Sequence, residues 1–169
     1  MAIAAQKIKT YSVLGTDLAL TRYSGVPSSV PLEVADSWGV LDIQVVPGGK
    51  GGLPQKGDIC DAGAVTGRSN LMQALVLRLL TRQGALSGLG HSDYGCRLLE
   101  LIGELNNTTT RNLARLFTIQ AINQEARVKA LLDLSVETVA DQPDTIRISF
   151  SVLPVDDEDP LALTLEVTL

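Results

Sequence analysis

The sequence predicts an α+β chain: helices packed on a C-terminal three-stranded antiparallel meander, preceded by a β/loop-rich N-terminal extension. Three observations carry this. Apolar residues recur at every second position from about residue 132 to the end. They recur at helical spacing in the stretch from Ser69 to Glu125. The first 65 residues are instead rich in Gly, Pro and Ser, with only short apolar runs. Helices followed by a block of strands is the order of an α+β fold. The expected division is an extension over residues 1–65 and a domain over residues 66–169.

In the extension, Thr16–Thr21 and Val40–Val46 are strand-like; in the second, Leu41, Ile43 and Val45 alternate with Asp42 and Gln44. Pro47-Gly-Gly-Lys-Gly-Gly-Leu-Pro54 suits neither helix nor strand and reads as a mobile loop. It lacks the Gly-Lys-Ser/Thr ending with which a phosphate-binding loop opens a helix, so nucleotide binding is not expected there.

Ser69 is placed to cap a helix over Asn70–Arg82, with Gly84 just past its end. Leu71, Ala74, Leu75, Leu77, Leu79 and Leu80 cover most of its circumference, which predicts an interior helix with Arg78 and Arg82 at its rim. A loop to Gly95 follows, then a short amphipathic helix from Cys96 to Ile102, ended by Gly103. Asn106–Thr110 caps a longer helix from about Arg111 to Glu125, with an apolar stripe of Leu113, Leu116, Phe117 and Ala121 and with Arg111 and Arg115 outward.

Three period-two runs close the chain. Leu132, Leu134 and Val136 form the first; Ile146, Ile148, Phe150 and Val152 the second; Leu161, Leu163, Leu165, Val167 and Leu169 the third. Polar turns at Asp141–Asp144 and Asp156–Pro160 join them into a meander with one wet face. The third run is then an edge strand, whose backbone is a template for a strand from another chain.

Composition narrows the function classes. At 169 residues, with 45% hydrophobic and 20% charged residues, the chain is an ordinary globular sequence. Its longest apolar run, Leu71–Leu80, is broken by Gln73 and Arg78, so no membrane span is expected. The N-terminus shows no signal-peptide pattern, and Cys60 and Cys96 read as small buried hydrophobes in a reducing compartment. The net charge is -5, and aromatic residues make up only 4%, so nucleic acid is not an expected partner. Arg68, Arg78, Arg82, Arg97, Arg111, Arg115, Arg127 and Lys129 concentrate positive charge in the middle of the chain. Arginine forks suit an acidic protein partner.

Catalytic chemistry finds little footing. His91 is the single histidine, it lies in a Gly-rich loop, and it has no clustered metal ligands around it. Glu100 and Glu104 are the nearest thing to a glycosidase pair, but they read as the rim of a short helix and its following loop. No catalytic residue, cofactor or metal is expected.

The order of pieces carries more. An apolar helix ends Leu79-Leu80-Thr81-Arg82-Gln83-Gly84; Gly90-His-Ser-Asp-Tyr-Gly95-Cys-Arg-Leu follows, then Leu101-Ile-Gly103, an Asn/Thr-rich loop, a helix closing on Glu125-Ala126-Arg127-Val128, and the meander. Over about residues 66–169 this resembles the lysozyme-like baseplate wedge family of contractile phage tails, type VI secretion and extracellular contractile injection systems. The family commonly reads Glu-Pro-Arg where this chain has Glu125-Ala126-Arg127, so the helix exit lacks the stiffening proline. The resemblance implies a non-catalytic structural protein, assembled in the bacterial cytoplasm into a phage tail or injection particle, with six copies per baseplate. It further implies that Arg111, Arg115, Glu125 and Arg127 dock on larger wedge subunits. The strand carrying Leu161, Leu163, Leu165, Val167 and Leu169 would accept a sheath-protein arm. The family's lysozyme label also raises a second expectation, a peptidoglycan hydrolase (muramidase) acting through Glu100 or Glu104.

Overall fold

The computed structural model describes residues 14–22, 41–43, 45–47, 60–155 and 157–169. They divide into two compact units, with the division between Leu71 and Met72.

In the first unit three broken strands pair with one another. Strands β1 (Thr16–Leu18) and β2 (Leu20–Arg22) flank Ala19; β3 (Leu41–Ile43) and β4 (Val45–Pro47) form a second segment; β5 (Cys60–Ala62) and β6 (Ala64–Thr66) form a third. Each half pairs with a different neighbour, β1 with β6, β2 with β3 and β4 with β5, all antiparallel. Buried Ala19 marks the switch of partner, its N–H donating to the Gly63 carbonyl at 2.8 Å. The strand-like readings therefore hold over residues 16–18, 20–21, 41–43 and 45–46, with residues 40 and 44 outside the described residues, while Cys60–Ala62 and Ala64–Thr66 are strands that their Ala- and Gly-rich sequence does not announce. Residues 48–54 of the glycine-rich loop lie outside the described residues.

Helix α1 (Gly67–Leu80) starts ahead of Ser69. Gly67, at φ +62°, turns the chain into it and donates its N–H to the Gly15 carbonyl at 3.2 Å. No residue from Leu71 to Leu80 is exposed, as an apolar circumference requires. The chain then loops back on the helix end: the Cys96 N–H donates to the Thr81 carbonyl at 2.7 Å, and the Gln83 N–H to the Cys96 carbonyl at 3.0 Å. With Cys96 held in that bridge, the helix expected over Cys96–Ile102 shrinks to a 3-10 turn at Leu98–Leu101.

Helix α2 (Thr108–Asn123) is capped by Asn107, whose side chain accepts the Thr110 N–H at 3.0 Å. Its buried face is Thr110, Ala114, Phe117, Thr118, Ala121 and Ile122. Leu113 and Leu116 are not on it; they are 38% and 47% exposed. The expected stripe is thus rotated. Thr118 can sit in the core because its hydroxyl donates to the Ala114 carbonyl at 2.8 Å, which leaves only its methyl to pack.

Strands β7 (Val128–Val139), β8 (Gln142–Pro154) and β9 (Leu161–Thr168) form the antiparallel meander in that order. Ile146, Ile148, Phe150 and Val152 stand opposite Val167, Leu165, Leu163 and Leu161, and all eight are buried. The other face is polar: Arg147 pairs with Glu166 at 2.6 Å and Ser149 stands opposite Thr164. α2 lies against β7.

The first strand departs from simple alternation. A register shift between Leu131 and Asp133 leaves Leu132 without a partner and 53% exposed, whereas Leu134 faces Phe150 and is buried. Leu132→Asp is expected to change the unfolding free energy by less than about 0.5 kcal/mol. Leu134→Asp should cost at least about 3 kcal/mol, because it both empties core volume and buries a carboxylate. Urea titration of both variants checks the assigned phase; equal losses would refute it.

Candidate functional site

The most distinctive polar cluster in the second unit forms where α2 hands the chain to β7. The Glu125 N–H donates to the Ile122 carbonyl at 3.0 Å, closing the last turn, and the Val128 N–H donates back to the Glu125 carbonyl at 3.0 Å. This tight exit turns the Glu125 side chain inward, where the residue is only 8% exposed. Arg127 reaches back with Nε donating to Oε1 at 2.7 Å, and Arg78 of α1 approaches Oε2 with its terminal nitrogen at 3.3 Å. Arg78 is itself held by Tyr94, whose ring centroid lies 4.5 Å from the guanidinium carbon. The Arg127 carbonyl accepts the Val155 N–H at 2.9 Å, which pins the loop to the sheet.

Electrostatics follow from this geometry. Burial works to raise the Glu125 pKa, but the Arg127 hydrogen bond, the charge of Arg127 and then Arg78 outweigh it, so the carboxyl lies below the ordinary glutamate value. One carboxylate faces two guanidiniums. The Arg78 Nε is buried without a hydrogen-bond partner. The outer arginine, Arg127, remains partly open at 26% side-chain exposure. The arrangement does not suit proton transfer near neutral pH.

The four residues expected to meet a wedge subunit are only partly brought together. Glu125 and Arg127 form one site. Arg115 is exposed on α2. Arg111 is half-buried near the other end of the helix, donating to the Asn106 side-chain oxygen at 2.9 Å. At 1.5 Å per residue it stands roughly 20 Å from Glu125 along the helix. Arg78 and Tyr94 complete the cluster. In the sequence, Arg78 is marked only as a cation on the rim of an apolar helix.

The third strand is placed as expected, with a refinement. Leu161, Leu163, Leu165 and Val167 point into the core, and Leu169 follows the strand with its N–H donating to the Asp144 carbonyl at 2.8 Å. What β9 offers outward is its backbone edge. Among the described residues that edge pairs with no other strand.

Glu100 and Glu104 line one open groove of about 500 Å³ between the 3-10 turn and α2, together with Arg97, Leu113, Leu116 and Phe117. Arg97 grips Glu100 with Nε at 3.0 Å and a terminal nitrogen at 2.8 Å, while its guanidinium lies over the Phe117 ring. The Arg97 hydrogen bond holds the Glu100 carboxyl below its usual range. Cys96 behaves as a buried small hydrophobe, its thiol pushed up chiefly by burial. Among the described residues no helix is long and apolar enough to cross a membrane, and no group of His, Cys, Asp and Glu could hold a metal ion.

No protein-family model and no curated protein matches the sequence. Among solved structures, the chain is similar to a provisionally named tail lysozyme from Geobacter sulfurreducens, at 20% identity and a TM-score of 0.51, over 60% of this chain and 89% of that one. The matched part of the chain therefore shares the fold of that protein.

Proposed function

We propose that the chain is a non-catalytic structural component of the baseplate of a contractile tail or injection machine, assembled in the bacterial cytoplasm. It docks on larger wedge subunits through the Glu125–Arg127 knob, with Arg115 and Arg111 along the adjoining helix. It accepts an arm of the sheath protein as a strand added to β9, and six copies serve one baseplate. The observation that carries this reading is the open β9 edge: a buried, correctly patterned strand whose outward backbone groups meet no strand among the described residues. The likeness in fold to a tail protein and the arginine-bound carboxylate agree with it.

The test is a pull-down of the tagged chain from its native cells, read by mass spectrometry, and repeated with Ala162→Lys/Thr164→Lys. Both positions are exposed on the polar face, and lysines on an edge strand oppose strand addition. Wedge subunits and sheath protein should accompany the native chain, and the double variant should keep the wedge subunits and lose the sheath. Truncation before Pro160 is a poorer test, because it would uncover the core partners of four buried residues of β9. Recovery of neither partner by a folded native chain sinks the proposal.

A muramidase is the second reading, favoured by the shared groove of Glu100 and Glu104. Its difficulty is Glu100, whose carboxyl is held ionised by Arg97 where a general acid needs a raised pKa. Peptidoglycan hydrolysis that vanishes in Glu104→Gln would establish it.

A further inference from the structure

The groove has features that the baseplate reading leaves unused. One wall is the 3-10 turn with Arg97, Glu100 and Glu104; the other is the α2 face of Thr109, Leu113 and Leu116. Leu101, Thr110 and Phe117 form a buried floor. Besides Leu113 and Leu116, the segment joining the walls exposes Ile102 at 52% and Leu105 at 81%. Leu113 and Leu116 line the groove, with Ile102 and Leu105 on the segment beside it, and adjacent exposed apolar side chains mark an interaction surface more often than scattered ones do.

We propose that this groove seats an amphipathic helix of a partner protein, which lays apolar side chains on Leu113 and Leu116 and sets a lysine or arginine against Glu104. Charge selects the cation. Arg97 pairs with Glu100, and among the described residues Glu104 has no ion pair, so the lining carries two carboxylates against one guanidinium. Backbone chemistry selects the helix. The α2 wall has its peptide groups bonded within the helix and presents only side chains. An extended segment lying there would find no backbone edge to pair with, whereas a helix arrives with its own peptide groups satisfied. A glycan fits less well, because leucines stand where sugar hydroxyls would need partners. This surface is distinct from the Glu125 knob and the β9 edge, and the proposal does not depend on them.

The test uses a displayed library of helix-forming peptides with apolar residues at i, i+4 and i+7 and flanking positions free to be Lys, Arg, Glu or Asp. It is selected on the full chain. Enriched peptides should carry Lys or Arg beside the apolar stripe and bind the Leu113→Ser/Leu116→Ser chain at least about tenfold more weakly. Both leucines are partly exposed already, so the fold should survive. Selection on Glu104→Lys, a change at an exposed residue, should instead enrich Glu or Asp. Three outcomes overturn the proposal: no enrichment, peptides indifferent to both variants, or a chitooligosaccharide whose binding is removed by the double serine variant.

Discussion

Gly95→Ala is expected to remove about 3–5 kcal/mol of folding stability, a large share of what a domain possesses. Gly95 sits at φ +110°, where an L-residue is strained, and a Cβ built there would lie 2.6 Å from the Thr81 carbonyl oxygen and 2.8 Å from the Arg82 carbonyl carbon and oxygen. All three atoms are backbone. They cannot retreat without opening the bonds that hold Cys96 between Thr81 and Gln83. Strain accounts for about 1–3 kcal/mol and the loss of two backbone bonds for about 1 kcal/mol each. Gly90 supplies the control: its φ is +86°, but nothing lies within 4 Å of its Cβ position. Gly90→Ala should therefore show the strain alone, about 1–2 kcal/mol. Denaturant midpoints for the two variants separate the effects, and equal losses would mean that the close approach constrains nothing. The consequence extends to the Glu125 cluster, because Tyr94 next to Gly95 is the residue that stacks on Arg78.

That chain of dependence marks where sequence reading succeeds and where it stops. Periodicity is visible in a sequence, and so the meander and the capped helix before it were legible from Ile146, Ile148, Phe150 and the Asn106–Thr110 cap. Phase is less visible. One extra residue at Leu132 changes which leucines of β7 face inward, and no local signal announces a bulge without glycine. In α2 the apolar count favoured Leu113 and Leu116 over Thr118, because a threonine that bonds to its own helix counts as polar in sequence and packs as apolar in the core. Partners far apart in the chain are hidden almost completely. Glu125 and Arg127 are neighbours and were read together, but Arg78 lies 47 residues from Glu125. Only the fold brings it to the carboxylate, with Tyr94 stacked on its guanidinium.

Glu125→Ala is expected to cost about 3 kcal/mol, more than the small surface it removes would suggest. The carboxylate is the counter-charge for Arg78, whose side chain is only 12% exposed; without it the guanidinium keeps the Tyr94 ring but loses its ion pair, with its Nε already buried without a hydrogen-bond partner. The same logic predicts non-additivity. Arg78→Met keeps an apolar stem under Tyr94 and deletes the stranded charge, while Arg127 is exposed enough to be hydrated. The double variant Arg78→Met/Glu125→Ala should thus regain at least about 1 kcal/mol over Glu125→Ala alone. Strictly additive losses would show that the pair is not coupled. The pH dependence gives an independent check. Because the folded-state pKa of Glu125 is depressed, its stabilisation is present above the unfolded value of about 4.3 and is lost as pH falls through the lower folded value. The stability gap between the native chain and Glu125→Gln should accordingly be constant near neutrality and narrow below about pH 4. A gap that persisted unchanged into that acid range would mean that the carboxylate's charge contributes nothing, and that the loop is held by Val155 and the closing turn of α2 instead.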